Sequence, residues 1–206
     1  MHLGHVDLAR LSLVAPPLLL VVGWALLIAN AGQGADDAWA AGHLILFAGN
    51  ALWVPAVLTL TRLTGPTSRR PAAIALGLVI VGSVCVAGQL AVDLVAWSLS
   101  LDVVGLRELF TAVRARPVLV LMFYLVGPPL LFVGIFIAAL ALNSAPHRAR
   151  TGGRLVAAGL VIVLVGALST FSLVTLAGYV VVLVGFARIA AAINRRDVVV
   201  ARRETR

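Results

Sequence analysis

Two residues in this chain combine reactive chemistry with an apolar setting. Asp93 is the only charged residue in the stretch from Ala72 to Leu99, and His43 is the only imidazole in the stretch from Ala38 to Thr61. A carboxylate at the centre of a hydrocarbon-embedded helix costs roughly 2.5–3.5 kcal/mol by insertion scales, so it normally faces protein or water. Paired, the two groups could form a proton-holding site, a general base with its orienting partner, or the polar end of a ligand pocket. Helical spacing places further polar groups beside them. Cys85, Gln89, Asp93 and Trp97 recur every four residues and form one stripe, and His43 and Asn50, seven apart, share a face.

Depth can be read from the same spacing. If the two stretches are antiparallel neighbours, His43 lies about 8 Å below the end near Ala38, and Asp93 about 9 Å below the same end near Leu99. They can therefore meet. Tyr124 and Tyr179 fall at similar depth on later stretches, with Gln89 and Asn50 one or two turns deeper. The expectation is a cluster of His43, Asp93, Gln89 and Tyr124, with Asn50 and Tyr179 as second-tier members, lining a cavity in one half of a bundle. A plainer reading stands beside it. His43 and Asp93 could be one hydrogen-bonded pair that fixes helix register. Tyr124, Tyr179, Trp39 and Trp97 could be interfacial aromatics, and Asn50 and Gln89 interhelical contacts.

The elements that must position these residues follow from composition. Apolar residues make up 62% of the chain and charged residues 12%, against about 45–50% and about 25% in soluble domains. Such a chain of 206 residues cannot hide its apolar surface in a globule, so its solvent is lipid. The fold class expected is all-α: a polytopic membrane bundle of six transmembrane helices forming one domain. Its spans are expected at about 11–29, 38–61, 72–99, 117–142, 155–170 and 173–193, with a basic tail at 194–206. Pro16-Pro17 is placed in the first turns of span one, where missing donors matter least. Gly127-Pro128-Pro129 should kink span four, because Tyr124 and Leu125 lose the donors to their carbonyls. Ser100–Arg116 carries Leu106, Leu109, Phe110 and Val113 on one helical face, the pattern of a short amphipathic surface helix between spans three and four. Asn143–Arg154 reads as a polar linker, and Ser169-Thr170-Phe171-Ser172 as the turn that divides the last apolar run. Gly134 and Ala138 have the spacing of a close helix contact.

The net charge of +8 comes from Arg residues in short loops rather than from a nucleic-acid-binding face. With both termini cytoplasmic, thirteen of the sixteen Arg lie inside, and Arg107, Arg114 and Arg116 lie outside. That bias predicts a multi-pass protein of the cell membrane. An alternative for the first stretch is a cleaved signal peptide ending near Ala29-Asn30-Ala31, although the apolar run is long for one.

Several chemistries are disfavoured. One cysteine, Cys85, permits no intrachain disulfide and no Cys-based metal cluster, and no zinc set, P-loop, nucleotide fingerprint or nucleophile elbow is present. His43 lacks a second intramembrane imidazole for haem ligation. No metal is expected, and no cofactor is named by the sequence. The stretch Ala41-Gly42-His43-Leu44 through Val54-Pro55-Ala56-Val57-Leu58, then Arg62-Leu63, then Asp93-Leu94-Val95-Ala96-Trp97, resembles a pattern in uncharacterised six-span integral membrane proteins of actinobacterial type. The resemblance implies the six-span architecture and no particular activity. The functional expectation is a non-enzymatic module that binds a small molecule or lipid, as sensor, transport component or accessory subunit. Its partners would be the bilayer, an apolar ligand and a membrane subunit, with no nucleic acid. The alternative is an intramembrane enzyme acting on a lipid-like substrate with His43 and Asp93 as its acid/base pair.

Overall fold

A computed structural model describes residues 5–31, 33–65, 68–145, 147–169 and 171–193. Among them the chain is helical, without strands. The helices are α1 (His5–Ala29), α2 (Asp37–Ala51), α3 (Trp53–Leu63), α4 (Arg69–Ser98), α5 (Val103–Arg114), α6 (Pro117–Val120), α7 (Gly127–Leu140), α8 (His147–Leu168) and α9 (Ser172–Ala192). A π-helical turn, Leu121–Val126, joins α6 to α7, and a 3-10 turn, Ala141–Ser144, follows α7. Six stretches are long and apolar enough to cross a membrane: Val6–Ala29, Asp37–Leu63, Arg69–Ser98, Pro117–Asn143, His147–Leu168 and Ser172–Ala192.

The spans close into a ring. Each packs on its neighbour in sequence, and α9 returns to pack against α1. Arg10 ties the closure by donating from Nη2 to the carbonyl of Ile193 at 2.9 Å. The core runs through the ring, with Trp53 against Phe186 at 5.4 Å between centroids and Trp24 stacked on Tyr179 at 6.3 Å. Gly134 packs on Ala75 and Val79 of α4, and Ala138 on the same helix is fully enclosed.

The helices begin earlier than the apolar runs. α1 starts at His5 rather than near residue 11, α4 at Arg69 rather than 72, and α8 at His147, inside the stretch read as a polar linker. Apolar content marks the hydrocarbon depth, whereas a helix continues until water can satisfy its terminal donors and acceptors; Arg148, Arg150 and Arg154 extend from its first eight residues. A consequence concerns Pro16-Pro17. They lie in the interior of α1, not in its first turns, so the carbonyls of Ser12 and Leu13 lose their helical donors. The tail at 194–206 lies outside the described residues.

Prolines fall inside three spans: α1 runs on through Pro16-Pro17, whereas the other two spans depart from regular α-helix near theirs. Pro55 follows the break between α2 and α3 at Leu52, and the carbonyl of Ala51 goes without the donor Pro55 lacks. A Cβ on Gly49 would stand 3.3 Å from the carbonyl oxygen of Pro16, so α1 and α2 meet at that level. Pro128-Pro129 produce the π-helical turn, and Gly127 there abuts Cys85 of α4, where a Cβ would lie 2.5 Å from that of Cys85. The expected kink is a widened turn.

Candidate functional site

The end of the bundle that carries Asp37 and Ser98 is held by three contacts between α2 and α4. Trp97 donates from Nε1 to Oδ1 of Asp37 at 3.2 Å, Trp39 donates from Nε1 to the carbonyl of Asp93 at 3.3 Å, and His43 Nε2 lies 3.4 Å from Oδ2 of Asp93. Asp36 caps α2 by accepting from the backbone of Trp39 at 2.8 Å, which sets where the helix starts and hence where His43 points. Behind His43, Gly42 lies against Gly23 of α1. A Cβ at Gly42 would meet Leu27 at 2.7 Å, so a side chain there would have to displace the Leu27 side chain of α1.

Each side chain expected in the cluster has a definite place. His43 and Asp93 are brought together and are 5% and 6% exposed. Nδ1 of His43 lies 2.9 Å from the carbonyl of Trp39, and because a carbonyl only accepts, that nitrogen carries a proton. Nε2 therefore faces Oδ2 either as a lone pair toward a carboxylic acid or as an N–H toward a carboxylate. Either form places the two groups within ion-pair distance. Tyr124 is half-buried on the π-helical turn and near enough to Asp93 and Arg114 to interact with both electrostatically. π-turns of this kind recur at functional sites because they re-aim side chains. Gln89 is half-buried one turn from Asp93 on α4. Neither the amide of Gln89 nor the hydroxyl of Tyr124 has a hydrogen-bond partner among the described residues.

The other two candidates are elsewhere. Asn50 is about 10 Å deeper than His43 along the helix and donates from Nδ2 to the carbonyl of Ser83 at 2.9 Å. Tyr179 faces Trp24 on the α1–α9 seam and is buried in the core. Two residues that spacing did not single out join the site. Trp39, read as an interfacial aromatic, is its organiser: its ring lies 4.2 Å from that of His43, its carbonyl binds Nδ1, and its indole binds the backbone of Asp93. Its position one turn before His43 was the available signal. Arg114, counted only as a loop charge, reaches the vicinity of Tyr124.

A small apolar cluster roofs this end. Leu106 of α5 packs with Ala35 and Ala96, and Trp39, Leu101, Leu109 and Phe110 pack around them. α5 thus shares one apolar cluster with the tryptophan that holds His43. No cluster of three metal-ligating side chains occurs among the described residues. Comparison with family models, curated proteins and solved structures found no match.

Proposed function

We propose that this chain is a multi-pass membrane module that binds a small amphiphile in the outer half of its bundle, its head group met by Asp93, His43, Gln89 and Tyr124. One observation carries the reading. Beside the His43–Asp93 pair stand two half-buried polar side chains, Gln89 and Tyr124, that no other described residue satisfies. Polar groups at such depth normally have partners, and a bound head group offering both a donor and an acceptor would supply them. Long apolar helices around the site suit an apolar body. A carbonyl- or hydroxyl-bearing lipid or ring compound has that chemistry. The Arg distribution supports cytoplasmic termini, with the site toward the outer face and α5 lying along the membrane surface.

The enzymatic alternative has less support. Both ring nitrogens of His43 are engaged, one by the Trp39 carbonyl and one by Asp93, so the imidazole would have to release a contact before accepting a substrate proton. Native mass spectrometry of the gently purified protein tests the binding reading. The wild type should carry an adduct of lipid mass, and Gln89→Leu/Tyr124→Phe, which spares the pair, should lose it. A wild type that flies bare from two mild detergents would remove the proposal.

A further inference from the structure

A second set of polar atoms lies deeper, apart from the His43–Asp93 pair. Asn50 stands midway between Asp37 and Leu63, and Ser83 midway between Arg69 and Ser98, so both sit near the middle of their spans. Asn50 Nδ2 donates to the carbonyl of Ser83 at 2.9 Å, which fixes the amide, since turning it over would set two oxygens face to face. Asn50 Oδ1, Ser83 Oγ and Trp53 Nε1 then have no hydrogen-bond partner among the described residues. The three residues are 3%, 6% and 1% exposed. Trp53 follows Asn50 by three residues across the break at Leu52.

We propose that the Asn50–Ser83 junction is a buried hydration site, holding water in the middle of the bundle. At this depth, breaks in helical hydrogen bonding are tolerated because neighbouring side chains and ordered water re-satisfy the freed groups. The unpartnered set also selects the guest. At the junction itself it combines a donor, the serine hydroxyl, with an acceptor, the amide oxygen. A molecule that both donates and accepts fits. Water bound to two to four polar partners is the usual occupant of such enclosed polar sites.

Water-edited solid-state NMR of the full chain in bilayers of deuterated lipid tests this. The side-chain amide of Asn50 should receive magnetisation from water at mixing times close to those of exposed Asn143. Ser83→Ala, which keeps the bond from Asn50 Nδ2 to the main chain, should slow that transfer several-fold without abolishing it. Transfer to Asn50 no faster than to the fully buried Ala56 and Val57 overturns the proposal. So does complete loss in Ser83→Ala, which would trace the signal to the serine hydroxyl. Should Ser83→Ala fail to fold, transfer to the Trp53 indole N–H in the wild type takes its place, with the same criterion.

Discussion

The bridge between His43 and Asp93 makes the two residues interdependent in a way that single substitutions should expose. Removing one member of a buried pair leaves the other without compensation, at a cost of about 3–5 kcal/mol. His43→Leu should therefore destabilise the protein by about 3 kcal/mol, and adding Asp93→Leu should restore more than half of the loss. Reversible unfolding in detergent, analysed as a double-mutant cycle, reads this directly, and additive losses would mean that the two side chains are not coupled. Trp39 has a subtler part. Trp39→Phe keeps a ring against His43 and the backbone carbonyl that binds Nδ1, but removes the donor to Asp93, so a loss of about 1 kcal/mol is expected in the same assay. The pairing of His43 with Asp93 could be anticipated because position along a helix sets height, and antiparallel order sets which heights coincide. Tyr179 shows where that logic ends. It matches the site in height, but its direction around the helix axis depends on how α9 packs on α1, which apolar spans of similar composition do not encode.

At the scale of elements, the turn between α4 and α5 is the most strained point among the described residues. Ser100 has a φ of 51°, the only positive value outside glycine, and it sits where a left-handed residue ends a helix: its N–H bonds the carbonyl of Trp97 at 2.8 Å and that of Leu101 bonds Ala96 at 3.2 Å. Left-handed backbone costs a residue with a Cβ roughly 1–2 kcal/mol. Ser100→Gly should stabilise the protein by about 1 kcal/mol, measured by the unfolding midpoint in detergent, and should leave α5 seated over Trp39. Neither this cap nor the true helix starts were visible in the residues alone. A serine at a helix end gives no sign of its φ, and Arg148, Arg150 and Arg154 resemble loop residues until the helix is seen to carry them. The spans themselves were legible, because their apolar runs are long and separated by Arg, Gly and Pro.

The whole molecule is a closed ring, so the packing of its last pair of helices bears on the far side where the site lies. α8 and α9 interlock at glycines: a Cβ on Gly159 would fall 2.8 Å from the backbone nitrogen of Val182, and one on Gly178 would fall 2.6 Å from that of Val163. Neither backbone can yield without parting the helices, so Gly159→Leu should destabilise the protein by about 3 kcal/mol or prevent its purification as a monodisperse species, whereas Leu164→Ala on the exposed side of α8 should do neither. Charge then bears on which way the ring faces. Arg10, Arg62, Arg69, Arg70, Arg148, Arg150, Arg154 and Arg188 belong to one end and Arg107, Arg114 and Arg116 to the other, a bias that favours the first end in the cytoplasm. The single native cysteine, Cys85, is buried, so introduced cysteines can be read against a quiet background. In intact cells a membrane-impermeant maleimide should label Glu108→Cys on α5, and should reach Arg148→Cys at the start of α8 only after the membrane is opened. The reverse pattern would put the His43–Asp93 pair near the cytoplasm, where its amphiphile would have to enter from the inner leaflet.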